Sequence, residues 1–183
     1  MKSPRSRRVI RATCALGVVS EDQHMELRPI SIADLTFLGE MTLLAAFPPG
    51  PLPEGASEMP RVTRWLAEWG RLGDAGVVAW HDGRRLGAAW CRVQADVLAR
   101  DAEGCPLPEL AIAVAPDHQA RGIGARLLDG LARAASEAGS TAVSLTVNAQ
   151  NPALRLYERA GFHVVARDGD RLTMVKPLGA RQP

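Results

Sequence analysis

The sequence predicts a single mixed α/β domain, and three observations carry that expectation. The chain has 183 residues, a normal length for one domain. At 46% hydrophobic and 23% charged, it has the composition of a protein that buries a core. Short alternating apolar runs are interleaved with stretches of helical period in the order β-α-α-β-β-β-α-β-α-β-β, with no internal repeat. No run of about 18 apolar residues occurs, so no membrane-spanning helix and no membrane partner are expected.

Met25 to Ile30 alternates and reads as a short strand with Leu27 inward. Ser31 is a plausible N-cap for a helix carrying Leu35, Leu38, Leu43 and Leu44 on one side. Phe47 to Gly55 holds four prolines and two glycines and must be a loop. Val62, Trp65, Leu66 and Trp69 then recur at helical spacing, predicting a helix over about 57–69. The tryptophans serve either as core or as an aromatic wall for a ligand, and the periodicity favours core.

Gly76 to Trp80 and Arg85 to Val93 flank His81-Asp-Gly-Arg84, a hairpin signal because glycine supplies the positive φ of a tight primed turn. Glu109 to Val114 is a strand stopped by Pro116. Gly122 to Ala138 is a helix with Ile123, Leu127, Leu128, Leu131 and Ala135 as its stripe and Gly139 ending it. Val143 to Val147 is a strand. Asn151-Pro152 opens a helix as N-cap and first residue, running to Ala160. Phe162 to Ala166 and Leu172 to Val175 pair around Asp168-Gly169.

The formal net charge of +2 is uneven. Residues 1–24 hold Lys2, Arg5, Arg7, Arg8 and Arg11 against Glu21 and Asp22, a net +3 that leaves −1 on the rest. A near-neutral domain gives no electrostatic footprint for nucleic acid. The basic segment has three readings: a loosely twin-arginine-like leader, an arm for an anionic partner, or a disordered extension with the domain starting at Met25. The last is favoured, because ordered periodicity starts there. Cys14, Cys91 and Cys105 form neither a disulfide framework nor a metal spacing, so a reduced, cytoplasmic protein without metal is expected.

The most informative stretch is Gln119-Ala-Arg-Gly-Ile-Gly124, between a strand and a helix start. Amides at a helix N-terminus converge and the dipole adds positive potential, while Gly122 and Gly124 let an anion approach the backbone. Arg121 and Arg126 add charge able to pair with phosphate oxygens. A dinucleotide fingerprint would need glycine at 127, where Leu127 stands. A P-loop needs a lysine, and the only lysines are Lys2 and Lys176.

That turn, Leu110-Ala-Ile-Ala-Val114 before it, and Asn151-Pro-Ala-Leu-Arg-Leu-Tyr-Glu-Arg-Ala-Gly-Phe162 after it together resemble the GCN5-related N-acetyltransferase (GNAT) superfamily. The resemblance covers Met25 to about Leu178. It implies an α+β mixed sheet in one acyl-CoA N-acyltransferase domain at 25–178, with 1–24 an extension and 179–183 a tail. It further implies acetyl-CoA as cosubstrate, its pyrophosphate on Gln119, Ala120, Arg121, Gly122, Ile123 and Gly124 with Ala125 adjoining. The pantetheine would run along the backbone of Ile112, Ala113 and Val114, with the Val114 N–H polarising the thioester carbonyl. Asn148 and Asn151 would contact the cofactor, although an N-cap alone explains Asn151.

Transfer to an amine needs the neutral amine, and an aliphatic amine with a pKa near about 10 benefits from a base. The resemblance makes Glu109 that base; alternation puts it on the face of Ala111 and Ala113. Tyr157, the only tyrosine, would be the acid for the departing thiolate. Ordinary packing and solvation remain alternative roles for both. His118 reads as a solvated loop residue, and His81 and His163 lack metal partners. The acceptor stays open among small amines, amino-acid-like metabolites, aminoglycoside-type compounds and a peptide N-terminus, with Glu54, Glu58 and Glu68 either favouring a cation or merely solvated. A non-catalytic acyl-CoA-binding domain is the competing reading, and either a monomer or a homodimer is compatible.

Overall fold

The computed structural model describes residues 25–47 and 50–179. The readings of residues 1–24, Cys14 among them, and of the final tail beyond 179 lie outside the described residues.

Among the described residues, seven strands form one mixed sheet. They are β1 (Glu26–Pro29), β2 (Ala75–His81), β3 (Arg84–Arg92), β4 (Glu109–Val114), β5 (Ala142–Asn148), β6 (His163–Asp168) and β7 (Arg171–Pro177), in the spatial order β1-β2-β3-β4-β5-β7-β6. Only β4 and β5 run parallel. Among the described residues, four α-helices, α1 (Leu35–Ala46), α2 (Pro60–Thr63), α3 (Ile123–Glu137) and α4 (Leu154–Arg159), complete the predicted order.

The alternation of the strands splits the core in two. On one face α3 buries Ile123, Leu127, Leu128, Leu131 and Ala135 against Val77, Ala79, Leu110 and Leu145. Each leucine contributes roughly 1.5–3 kcal/mol of burial, so packing more than intrinsic propensity holds this helix. On the other face α1 and Trp65 cover Val78, Ala88, Trp90, Ala111 and Ala113. The predicted stripe of α1 is shifted there: Leu38, Met41 and Thr42 are buried, while Leu44 is exposed. Before α1, Ser31 donates from both its N–H and its hydroxyl to the Asp34 carboxylate, which also receives Arg85 Nε at 2.8 Å. Burial alone would raise the Asp34 carboxyl, but these partners hold it below its ordinary range.

The helix expected over 57–69 is the main departure. Only Pro60–Thr63 is α-helical, and the chain continues as turns to Gly70. The cause lies on β3. Arg92 is fully buried, and its Nη1 takes the carbonyls of Arg64 and Ala67 at 3.0 and 2.9 Å. Its Nε and Nη2 grip the Asp74 carboxylate at 3.2 and 2.8 Å. Carbonyls that a regular helix would use internally are drawn instead onto a guanidinium. At its other end, Trp65 packs edge-on to Trp90 at 6.1 Å, so the tryptophan spacing reports core. The last helix also starts late: Asn151 Oδ1 accepts from Ala153 N–H at 2.9 Å, forming a turn ahead of Leu154 instead of capping a helix at 152. No helix among the described residues is long and apolar enough to cross a membrane.

Candidate active site

β4 is paired with β3 along its whole length but with β5 at one position only, Glu109↔Ser144, where Ser144 N–H donates to the Pro108 carbonyl at 2.9 Å. Past that point the two parallel strands part and leave a fork. Ala115 N–H donates to the Leu86 carbonyl at 2.8 Å, so by alternation the backbone groups of Ala113 and Ala111 face β3. Those of Ile112 and Val114 face the fork, where no described strand pairs with them. Ala113, expected to offer its backbone to a ligand, has spent it on β3. Gly87 makes this geometry possible: a Cβ there would lie 2.6 Å from the Ala113 carbonyl oxygen and 3.0 Å from Val114 Cα.

Beyond β4 the chain makes a tight turn at Pro116–His118 and enters Gln119 to Gly122, all exposed, ahead of α3. Gln119 Nε2 donates to the Val114 carbonyl at 3.1 Å, tying the turn to the strand end. Ala120 and Gly122 both have positive φ, 60° and 79°. A Cβ on Gly122 would meet nothing within 4 Å, so open space lies in front of the first amides of α3. A Cβ on Gly124 would sit 3.1 Å from Leu156, which makes this glycine a packing contact with α4. Ile123 is buried, and Ala125 is exposed beside the turn. Arg121 is exposed in the turn, whereas Arg126 sends its guanidinium to the Met25 carbonyl at 2.7 Å and fastens α3 to the chain entering β1. His118 is half-buried, not solvated, and its Nδ1 has no partner.

This turn and the fork make a continuous surface leading from the N-terminus of α3 to the open edge of β4. Its shape and charge suit an extended molecule with a pyrophosphate at one end and an amide-bearing arm at the other. Asn148, at the end of β5, lines a small cavity of about 280 Å³ with Thr146, Val147 and Arg171, and its Oδ1 accepts from Gln150 N–H. Asn151 is exposed. Tyr157 on α4 packs against the α3-side core and meets Phe162 edge-on at 5.8 Å. Burial pushes its phenol up to about 12, so it stays protonated through the neutral range.

Glu109 lies on the opposite face. It is 7% exposed, at the point of the fork, and forms the floor of a cavity of about 880 Å³ shared with Arg64, Asp96 and Thr173. Arg64 Nη2 stands 3.4 Å from each Glu109 carboxylate oxygen. Burial pushes the Glu109 carboxyl above the usual carboxylate range, with Arg64 and Arg171 pulling it back in part and Asp96 opposing them. Glu109 and Tyr157 thus sit on opposite faces of the sheet, Glu109 in the cavity on the α2 side and Tyr157 against the α3-side core. Arg64, Asp74 and Arg92 had no signal in the sequence, because their partners are distant along the chain. Glu54, Glu58 and Glu68 are exposed and do not line the cavity, and neither do Trp65 and Trp69. Among the described residues, no three His, Cys, Asp or Glu side chains cluster as metal ligands.

The same architecture occurs in known proteins. The chain matches yncA of Salmonella typhimurium, solved with acetyl-CoA, at TM-score 0.66 and 22% identity over 87% of this chain and 97% of that one. It matches the paia N-acetyltransferase of Thermoplasma acidophilum, solved with coenzyme A, at TM-score 0.60 and 22% identity over 84% and 98%. It matches a spermidine N-acetyltransferase of Vibrio cholerae, solved with CoA and spermine, at TM-score 0.59 and 18% identity over 85% and 96%. The model of the Acetyltransferase (GNAT) family covers residues 41–162, which contain the fork, the glycine turn, Glu109 and Tyr157. With its sheet parted at β4–β5 and that turn at the head of α3, the chain belongs to the Acetyltransferase (GNAT) family.

Proposed function

We propose that this protein is an N-acetyltransferase that moves the acetyl group of acetyl-CoA directly onto a primary amine. The observation that carries the reading is the placement of one buried carboxylate, Glu109, at the only position where β4 and β5 pair. Acetyl-CoA, when bound, supplies an activated thioester. The Gln119–Gly124 turn would hold its pyrophosphate, with the Ile112 and Val114 amides facing the arm and Asn148 beside it.

Each side chain then has one task. Glu109, raised by burial toward the neutral range where a base works best, takes the proton of the attacking amine. Nitrogen bonds to the acyl carbon as the carbon–sulfur bond breaks. The Val114 N–H, fixed in direction by the β3–β4 ladder, is a preset dipole for charge growing on the carbonyl oxygen. Tyr157 gives a proton to the departing thiolate, and exchange with water resets both groups. Arg64 is a positioning residue, holding the Glu109 carboxylate across the cavity mouth. The free thiols of Cys91 and Cys105 support a cytoplasmic setting.

The test is calorimetric titration with acetyl-CoA, followed by thiol release on a panel of amines. Binding and amine-dependent release are expected. Failure to bind acetyl-CoA contradicts the reading. Binding with turnover that Glu109→Gln and Tyr157→Phe leave unchanged favours a non-catalytic acyl-CoA-binding domain.

A further inference from the structure

The acceptor cavity is lined by four arginines, Arg61 and Arg64 from the α2 region and Arg167 and Arg171 from the β6–β7 hairpin. Three carboxylates, Asp96, Glu109 and Asp168, share it. Arg64 is matched to Glu109. Among the described residues, no carboxylate lies within salt-bridge distance of Arg61, Arg167 or Arg171. Arg61 lies over the Phe47 ring at 3.9 Å, and Arg171 has the Thr146 hydroxyl at 3.4 Å.

Arg171 has a second distinguishing feature. It lines both this cavity and the smaller one at the end of β5, so it links the acceptor side to the surface beside Asn148. Its charge also reaches Glu109. A guanidinium presents a planar fork that matches a carboxylate. A polycation entering the same space would meet four arginines against three carboxylates, a lining with an excess of positive charge.

Resting on the transfer reading above, we propose that the acceptor is a small amine that also carries a carboxylate or similar oxyanion, an amino-acid-like molecule, held by Arg171 with help from Arg167. The amine points to Glu109 and the anion to the β6–β7 hairpin. Of the acceptors open to the sequence, this selects the amino-acid-like class over polyamines and peptide N-termini.

The experiment is thiol release with the common α-amino acids, each beside its own carboxamide, and with spermidine as the polycation. At least one amino acid should exceed its carboxamide by about 10- to 100-fold in kcat/KM, the worth of one charge-assisted hydrogen-bonded pair. Arg171→Gln should collapse that ratio toward one, chiefly through KM, and Arg171→Lys should keep part of it. Arg171 is exposed, so neither change disturbs the core. A carboxamide as good as its amino acid, spermidine as the fastest acceptor, or an equal loss for both members of a pair in Arg171→Gln would overturn the proposal. If acetyl-CoA binds but no amine turns over, the transfer reading fails by itself. The same pairs titrated calorimetrically into the CoA-loaded protein then decide the site: tighter binding of the amino acid upholds it, and equal binding overturns it.

Discussion

The two sides of the β4–β5 fork are built from different materials. On the α3 side the candidate ligand groups are backbone: the amides of Ile112 and Val114 and those at the head of α3, aimed by the β3–β4 ladder and by positive φ at Ala120 and Gly122. On the α2 side they are side chains, Glu109, Arg64 and Arg171, and the backbone merely delivers them. A backbone site depends on strand order and turn shape, so it tolerates many sequences and recognises one invariant ligand. A side-chain site changes with each substitution, which suits the half that must choose an acceptor.

The largest expected effect breaks the α2 side by removing its anchor. Arg92→Met leaves the buried Asp74 carboxylate with only the Gly70 and Arg71 N–H groups and no charge partner, and releases the Arg64 and Ala67 carbonyls, at a cost of about 3–5 kcal/mol seen in thermal unfolding. The loss should fall on acceptor KM before acetyl-CoA affinity. Tyr157→Phe comes next, lowering kcat about 10²-fold with acetyl-CoA binding retained. Because burial holds that phenol at about 12, it contributes no alkaline limb to the rate profile of the wild type at ordinary pH.

On the α3 side, Gly122→Val forces a β-branched residue into positive φ, about 1–2 kcal/mol of strain, and should weaken acetyl-CoA about tenfold by calorimetry while leaving acceptor preference intact. The smallest effect is a displacement on the pH axis. Arg64 lowers the Glu109 carboxyl, so Arg64→Gln should move the acid limb of kcat/KM to higher pH. The limb due to the amine substrate itself should stay in place.

The contrast between the two sides also explains what could be read from the chain. Gln119 to Gly124, the Asp82-Gly83 hairpin and the α3 stripe are local patterns, and each stands where its spacing put it. Glu109 on the Ala111 and Ala113 face followed from alternation alone. The stretch after Thr63 did not, although Val62, Trp65 and Leu66 keep helical spacing. Its backbone obeys Arg92, which lies 25 residues from Ala67 in sequence. Arg64 and Glu109 meet across 45 residues, a pairing no local period encodes. The arginine lining of the acceptor side comes from two distant segments and becomes visible only when the β6–β7 hairpin folds beside α2.

Glu109 belongs to the side-chain half while sitting at the point where both halves meet, so its replacement separates them most directly. For Glu109→Gln, acetyl-CoA affinity by calorimetry and kcat by thiol release should be measured on one preparation. Affinity within about twofold of wild type and kcat lowered about 10²- to 10⁴-fold is the expected result. Undiminished turnover, or loss of acetyl-CoA binding together with turnover, would contradict a carboxylate base acting apart from a backbone-built cofactor site.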